Sequence, residues 1–370
     1  MYQPSGLTSD QTATRTLAAP PVPNPLNFRV FIVTKLALTA LGWSDHFSQQ
    51  SQAQASDIPA RVIAVHRDRL DGLGAEGKIV LATDQQTRDF AVGDWVYHDG
   101  QRVTQRLDRR TKIGRGAASE DGDYQLIAAN VDTLAIVTSC NDDFNPARLE
   151  RYLAMCSAGG AQPLVVLTKA DLSPDADEFL RRAESVSPLV TAITLNACDP
   201  EDIQRLNPWC NAAQTMALVG SSGVGKTTLQ NALTGVEHLT QTIREADAKG
   251  RHTTTARSLQ RTLAGGWLID TPGMRALRLF GASQGIEAVF ADLVELAQQC
   301  QFRDCQHVSE PNCAVQAAIA AGSLTAQRLS RWQKLQREDA QFNRSPAELR
   351  EEKRRSAQQP KAKSRNWRKR

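Results

Sequence analysis

The order of three short motifs along the chain constrains the fold more than any other feature. A Thr-Lys-Ala-Asp segment at 168–171 precedes a Gly-Ser-Ser-Gly-Val-Gly-Lys-Thr loop at 220–227, and an Asp-Thr-Pro-Gly segment at 270–273 follows that loop. The loop matches the pattern that cradles nucleotide phosphates. In ordinary guanine-nucleotide proteins the base-reading segment comes after both phosphate elements. Here the set is circularly permuted.

A hydrophobic run of strand-forming residues precedes each motif, and a further run lies upstream. These runs are Val131 to Ser139, Pro163 to Leu167, Met216 to Val219 and Trp267 to Ile269. Ligands of open parallel α/β sheets bind outside the carboxyl ends of the strands. We therefore predict an α/β domain that presents the motifs at one edge of its sheet, with a helix between Asn145 and Gly159.

The chemistry of the central loop indicates that it binds a nucleoside triphosphate. Its glycines let backbone amides point at a phosphate, Lys226 is suited to bridge the β- and γ-oxygens, and the Thr227 hydroxyl is suited to bind Mg²⁺. The predicted contacts of this loop are Gly220, Ser221, Ser222, Gly223, Val224, Gly225, Lys226, Thr227 and Thr228.

The first motif selects guanine over adenine. The Asp171 carboxylate can accept hydrogen bonds from both guanine donors, and the Lys169 stem can pack over the purine. Thr168 stands where Asn is more common, which predicts a weaker tie between the base site and the phosphate loop. Asn196 and Ala197 offer a further contact to the guanine oxygen. A strand-end turn without a ligand is the alternative.

Hydrolysis needs a metal and an oriented water. Asp270 is predicted to hold Mg²⁺ through water and the Gly273 amide to meet the γ-phosphate, while Met274 cannot orient a water. His252 is the best candidate for that task because imidazole can move protons near neutral pH, and Thr254 is predicted to complete the Mg²⁺ shell. An exposed histidine that only contacts a partner is the alternative.

Three cysteines and a histidine cluster within a short segment. The spacing is Cys300-x4-Cys305-x-His307-x5-Cys313. Four such ligands suit one tetrahedral Zn²⁺ per chain and leave no open position, so the predicted role is structural. Free thiols beside a surface histidine are the alternative.

The flanking regions have distinct compositions. Short β-forming runs between residues 60 and 113 predict a small barrel of the OB type. Residues 350–370 hold ten basic and two acidic side chains, a net charge of +8. Because the net charge of the whole chain is +4, the other residues together carry −4. Such a tail commonly binds nucleic acid. The alternative is a tail that only keeps the protein soluble.

We divide the chain accordingly: a disordered extension and linker (1–57), an OB-fold (58–115), a circularly permuted GTPase domain (116–282), a helical zinc domain (283–345) and a basic tail (346–370). The hydrophobic run near the N-terminus, Val30 to Trp43, is too short to span a bilayer. We expect a cytoplasmic monomer without membrane contact.

Together these residues resemble the RsgA (YjeQ) family of circularly permuted GTPases that act on the small ribosomal subunit. The resemblance runs from about Ala60 to Leu335 and includes the motifs at 93–96, 128–132 and 149–153, the Gly250 to Thr255 segment and the zinc spacing. It implies late-stage assembly of the small subunit, binding of its rRNA, GTPase activity stimulated by the particle, and a catalytic role for His252.

The leading hypothesis is therefore a GTP hydrolase that acts on the small ribosomal subunit and is released after hydrolysis to GDP. Two alternatives remain open at this point: a GTP-dependent metallochaperone, and an RNA-binding assembly factor that uses GTP only as a structural ligand.

Overall fold

The structure is a computed structural model that describes residues 37–50, 58–116, 124–236, 257–271 and 279–342. Within these residues lie an antiparallel sheet of five strands, a six-stranded sheet and a two-stranded hairpin, followed by C-terminal helices. None of the helices in the described residues is long and apolar enough to cross a membrane. The basic tail lies outside the described residues.

The antiparallel sheet has the strand order β3-β2-β1-β4-β5. Its strands are β1 (Ile58–Val65), β2 (Leu70–Gly74), β3 (Gly77–Leu81), β4 (Trp95–His98) and β5 (Val103–Arg106). A parallel bridge between Ala82 and Arg102 connects the two edges of the sheet, because the Ala82 amide donates to Gln101 and the Ala82 carbonyl accepts from Val103. Side chains such as Leu81 are buried in the apolar cluster of this sheet.

Residues 37–50, which lie within the segment assigned to the N-terminal extension and linker, pack against this sheet. A 3₁₀ turn (Leu38–Leu41) and a short helix, α1 (Asp45–Ser48), place Leu41 and Phe47 at 0% exposure. The Trp43 ring meets Trp95 edge-on, with centroids 4.8 Å apart. The buried apolar and aromatic area outweighs the polar composition of the neighbouring sequence.

A hairpin and a tight turn connect the two sheets. The hairpin consists of β6 (Lys112–Gly116) and β7 (Tyr124–Ala129). At the turn before β4, Gly93 has φ +97°, and a Cβ there would lie 2.0 Å from the Ala129 carbonyl oxygen. The Asn130 side chain donates to the Gly93 carbonyl at 3.0 Å. Only glycine can make this backbone contact.

The six-stranded sheet has the order β10-β9-β8-β11-β13-β12 and is parallel except for β12. Its strands are β8 (Thr133–Ser139), β9 (Gln162–Thr168), β10 (Thr191–Thr194), β11 (Thr215–Gly220), β12 (Leu259–Arg261) and β13 (Trp267–Asp270). Every residue of β8 and β11 is buried, as expected for central strands covered on both faces.

Helices connect these strands. They are α2 (Pro146–Ala158), α3 (Ala176–Glu184), α4 (Pro200–Gln204), α5 (Asn207–Cys210) and α6 (Lys226–Thr234). Asn145 caps α2 by accepting a hydrogen bond from the Arg148 amide, with Pro146 in the first turn, so this helix begins where the sequence predicted.

Four C-terminal helices follow. They are α7 (Ser283–Val289), α8 (Ala291–Gln298), α9 (Ala314–Ala320) and α10 (Ala326–Phe342). The sequence from Ile286 to Gln299 has a helical pattern, but the helix is interrupted at the fully buried Phe290, whose packing overrides that pattern. On the last helix, Leu329, Trp332 and Leu335 recur at helical spacing and form one buried stripe.

We predict that Phe47→Ala lowers the free energy of unfolding by about 3–5 kcal/mol, because it leaves a cavity among Leu41, Trp43 and Trp95. Denaturant unfolding measures the change. Phe302→Ala, at a side chain that is 42% exposed, is the control and should cost no more than about 0.5 kcal/mol. Equal effects of the two variants would show that residues 37–50 do not pack against the core.

Candidate functional site

The three motifs lie together at the carboxyl edge of the six-stranded sheet. The Thr-Lys-Ala-Asp segment begins at the end of β9, the phosphate loop at the end of β11, and Asp270 ends β13. Strand β8 lies between β9 and β11 and pairs with both. The fold thus brings together segments that are far apart in the sequence.

The glycines of the phosphate loop are required by its geometry. Gly220 has φ +143°, and a Cβ there would lie 2.1 Å from the Val137 carbonyl oxygen of β8. Gly223 and Gly225 also have positive φ, at +83° and +90°, and Gly225 is the N-cap of α6. The loop therefore leads directly into a helix N-terminus, where backbone amides and the helix dipole favour an anion.

Two ammonium groups lie at this loop. The Lys226 Nζ donates to the carbonyls of Gly220, at 2.9 Å, and Ser221. The Lys169 Nζ donates to the Gly223 carbonyl at 2.9 Å. The loop is thus contacted from its own helix and from the base-reading segment.

Thr168 connects the two halves of the site. Its side chain is fully buried, and its Oγ1 lies 2.6 Å from the Val224 carbonyl oxygen and 3.0 Å from that of Thr138. A hydroxyl has one proton, and the shorter distance favours donation to Val224. The sequence suggested that a threonine would weaken the connection between the base site and the phosphate loop. In the structure, the Thr168 hydroxyl makes that connection through its hydrogen bond to Val224.

The remaining base-site candidates lie close to this tie. Asp171 is exposed in a 3₁₀ turn that starts after Lys169, which has φ +60°. The Ala170 amide donates to the Leu195 carbonyl at 3.4 Å, which brings the Asn196 turn beside the segment. The Asn196 amide donates to the Asp202 carboxylate at 2.7 Å, and this bond holds the pKa of Asp202 below its usual range.

Asp270 is held at the same edge of the sheet. It lies opposite Leu218 in the pairing of β11 and β13, and the hydroxyl of the next residue, Thr271, donates to the Leu218 carbonyl at 2.5 Å. The other predicted residues of the hydrolytic site lie outside the described residues: His252, Thr254, Gly273 and Met274.

The four predicted metal ligands converge. Their ligand atoms all lie within 4.8 Å of one another. The Cys300 and Cys313 sulfurs are 3.8 Å apart, and the His307 Nδ1 lies 3.6 Å from the first and 3.5 Å from the second. Tetrahedral zinc, with bonds of about 2.3 Å to sulfur and about 2.0 Å to nitrogen, separates such ligands by about 3.8 Å and about 3.5 Å. The cluster fits one ion of that kind.

Two residues that the sequence did not single out shape the loop of this cluster. The Glu310 carboxylate accepts from the amides of Gln306, Val308 and Ser309 at 2.8, 2.8 and 3.0 Å, and these bonds lower the pKa of Glu310 to about 2. The Gln316 amide donates to the Cys313 sulfur at 3.4 Å, so Cys313 also caps α9. The only feature of the sequence that pointed to this role of Glu310 was the presence of an acidic residue between His307 and Cys313.

A phosphate loop, an upstream base-reading segment and a downstream Asp-Thr pair on one parallel sheet define a circularly permuted GTPase. The model of the RsgA GTPase family matches residues 106–280. The chain is 51% identical, over 82% of its length and 90% of the relative's, to the small ribosomal subunit biogenesis GTPase RsgA of Mesorhizobium japonicum. It is 47% identical to RsgA 2 of Vibrio parahaemolyticus, over 84% of this chain and 88% of the relative. The chain belongs to the RsgA GTPase family.

Two solved structures support the fold. YjeQ from Thermotoga maritima aligns with a TM-score of 0.56 at 23% identity and covers 75% of this chain and 97% of its own. YloQ, described as a circularly permuted GTPase, aligns with a TM-score of 0.53 at 22% identity over 80% of this chain and 99% of its own.

We predict that Thr168→Val weakens GDP binding about five- to tenfold, because the near-isosteric side chain leaves the Val224 carbonyl without its donor, a loss of about 1–1.5 kcal/mol. Equilibrium titration with a fluorescent GDP analogue measures the effect. Thr168→Ser keeps the hydroxyl and should lose less affinity. A serine variant as weak as the valine variant would contradict a role for the hydrogen bond.

We predict that the purified protein contains about one zinc ion per chain, and that Cys313→Ser loses the metal and lowers the unfolding temperature, since binding energy of a structural metal is folding energy. Metal analysis and thermal unfolding measure both. Cys198→Ser, at an exposed cysteine away from the cluster, is the control and should retain metal. Full metal content in Cys313→Ser would exclude Cys313 as a ligand.

Proposed function

We propose that this GTPase acts in late maturation of the small ribosomal subunit, and that the ribosomal particle stimulates its GTP hydrolysis. The proposal rests on the permuted nucleotide site together with the similarity of the chain, over most of its length, to relatives named for small-subunit biogenesis. Hydrolysis to GDP would release the protein from the particle.

We infer the nucleotide contacts from the chemistry of the motifs, and the geometry of the sheet edge supports them. Asp171 reads the guanine base beside Lys169, and Lys226 contacts the β- and γ-phosphates in place of its present backbone acceptors. Thr227, Thr254 and Asp270 hold Mg²⁺. The ion neutralises phosphate charge when it is bound.

His252 is the proposed group that positions the attacking water. Met274 follows Gly273 where a hydrogen-bonding side chain would otherwise orient that water, and a thioether cannot do so usefully. Imidazole titrates near neutral pH. We infer that docking on the particle completes this arrangement, which accounts for stimulation by a partner.

We propose that the antiparallel sheet is an OB-fold barrel and an RNA-binding element. The strand order, with β3 bridged to β5 in parallel, supports a closed five-stranded barrel. OB-folds bind nucleic acid on their second and third strands and the adjoining loops. Exposed basic side chains lie there: Arg67 and Arg69 in the loop between β1 and β2, and Lys78 on β3. The zinc domain and the basic tail at 346–370 are the other proposed rRNA contacts.

A structural zinc ion fits the cluster better than a metal held for delivery. Three thiolates and one imidazole complete a tetrahedral shell, and His307 and Cys313 are buried, so no coordination position remains for exchange. We place the protein in the cytoplasm, in keeping with seven cysteines of which none forms a disulfide, and we expect a monomer.

We predict that purified small ribosomal subunits raise GTP turnover and that large subunits do not. Steady-state phosphate release with each particle measures the effect. Absence of stimulation by the small subunit would refute the proposed function.

The His252→Ala variant tests the catalytic assignment in the same assay. We expect stimulated turnover to fall about 100-fold or more, the usual contribution of a positioned acid–base group, with GDP affinity unchanged. His46→Ala, at an exposed histidine on α1, is the control. Full stimulated turnover in His252→Ala would exclude the histidine from the chemistry.

A further inference from the structure

The segment of residues 37–50, here named the strap, contacts both sheets through two consecutive carbonyl groups. The Ala40 carbonyl accepts a hydrogen bond from the indole of Trp267, the first residue of β13, at 2.8 Å. The Leu41 carbonyl accepts one from the Nη1 of Arg61, on β1, at 2.6 Å. The strap therefore binds the six-stranded sheet and the antiparallel sheet at adjacent residues.

Arg61 also contacts the six-stranded sheet directly. Its Nη2 donates to the Thr215 hydroxyl at 2.7 Å and to the Asn130 carbonyl at 3.3 Å. Thr215 is the first residue of β11 and lies opposite Trp267 in the pairing of β11 and β13. Together with the two strap carbonyls, these residues form a closed ring of contacts. The sheets cannot separate at this point unless at least two of its hydrogen bonds break.

Burial makes the contacts of Arg61 costly to lose. The side chain is 1% exposed, and burial lowers its pKa to about 10, so the guanidinium remains charged at neutral pH. Its three acceptors are uncharged groups, two carbonyls and a hydroxyl. A buried charge that loses such partners is strongly unfavourable. A hinge motion that draws the two sheets apart is therefore opposed until water reaches the guanidinium.

The strap passes closely between Arg61 and the turn that precedes β11. Gly42 has φ +91°, and a Cβ there would lie 3.0 Å from the Ala213 carbonyl oxygen and 3.1 Å from the Arg61 Nη1. Both distances are shorter than an ordinary van der Waals contact, so a side chain would displace the guanidinium or the turn. The strap thus fits closely into the space between the two sheets.

The second half of the strap binds the antiparallel sheet and the connection that leaves it. Phe47 packs on Trp95 with ring centroids 5.7 Å apart. The Gln50 side chain accepts from the Asp108 amide at 2.5 Å and donates to the Asp108 carbonyl at 3.2 Å. His46 lies 3.0 Å from the same carbonyl. Because Asp108 lies between β5 and β6, the strap contacts both sheets and the chain that joins them.

We propose that the strap, with Arg61 as its anchoring residue, holds the antiparallel sheet and the six-stranded sheet in one fixed orientation. The consequence rests on the proposed function: RNA bound by the antiparallel sheet is presented at a fixed position relative to the nucleotide site. The two strands whose first residues meet the strap and Arg61, β13 and β11, end at Asp270 and at the phosphate loop. Arg61 and the strap take part in no chemical step.

The direct test is the distance between two spin labels in the full-length protein, measured by double electron–electron resonance without nucleotide or ribosome. Labelled noncanonical residues at the exposed Val80 on β3 and Glu184 on α3 leave the cysteine cluster intact. We expect one narrow distance distribution. Arg61→Met removes every donor of the guanidinium, and buried charges often tolerate an apolar replacement of similar volume. In this variant the distribution should broaden or split.

Arg88→Met is the matched control for this measurement. Arg88 is exposed in the 3₁₀ turn that precedes Phe90, and its replacement should keep the distribution narrow. An equally narrow distribution in Arg61→Met would overturn the proposal. Because neither GTP nor the ribosome is used, this result does not depend on the proposed function.

Amide hydrogen exchange tests the strap itself and covers the case in which Arg61→Met does not fold. The amides of Trp43 and Phe47 are hydrogen-bonded within the strap, so their exchange reports its detachment. Trp267→Phe keeps a buried ring and removes the indole donor. Exchange of a peptide covering residues 38–50 should accelerate about two- to tenfold, the effect of one lost hydrogen bond. Trp209→Phe, at a half-buried tryptophan of α5, should leave it unchanged, and unchanged exchange in Trp267→Phe would overturn the attachment of the strap.

Steady-state phosphate release with purified small ribosomal subunits tests the consequence. Arg61→Met should lose most of the stimulation and keep its unstimulated turnover and GDP affinity, because Thr215 and the phosphate loop lie at opposite ends of β11. Full stimulation in a variant whose distance distribution has broadened would overturn the link between orientation and hydrolysis. Absence of stimulation in the unsubstituted protein would refute the proposed function and leave the fixed orientation standing.

Discussion

The phosphate loop and the base-reading segment both pack against two consecutive carbonyl groups of β8. The Val137 carbonyl lies against Gly220 so closely that no side chain fits, and the next carbonyl, of Thr138, lies 3.0 Å from the Thr168 hydroxyl. The phosphate loop and the base-reading segment are thus fitted to the same strand from opposite sides. Because β8 is buried throughout and paired along both edges, neither half of the site can shift without disturbing the centre of the sheet.

Circular permutation makes this strand the entry to the sheet and Asp270 its exit. The turn at Gly93 and Asn130 attaches the antiparallel sheet directly upstream of β8, and the zinc domain follows β13 and packs back onto α2. Each neighbour is therefore attached to the GTPase domain by close backbone contacts or buried charge. Removal of one partner from a buried charged cluster such as that of Glu150 typically costs about 3–5 kcal/mol, so these charges anchor the last helix of the zinc domain on α2.

The sequence predicted what local pattern and motif chemistry determine. Continuous apolar runs identified β8 and β11, and Asn145-Pro146 marked the start of α2. The sequence did not predict β2 (Leu70–Gly74), because its two glycines and its aspartate disfavour a strand. In the fold, β1 and β3 pair with it on both sides. The convergence of the four metal ligands was predicted from spacing alone, whereas the role of Glu310 depends on a loop conformation that no periodicity encodes.

Thr168 shows how a residue outside the usual pattern can serve the same geometry. From the sequence, a hydroxyl in place of an amide suggested a loosened base site. In the fold, a Cβ on Gly225 would lie 3.5 Å from the Thr168 oxygen, so the phosphate loop approaches the strand end closely enough for a short side chain to reach it. The hydroxyl spans that gap at 2.6 Å, and its methyl group fills buried space beside the loop. The length of side chain that can make this hydrogen bond depends on the distance between the phosphate loop and the end of β9. Here that distance suits a threonine.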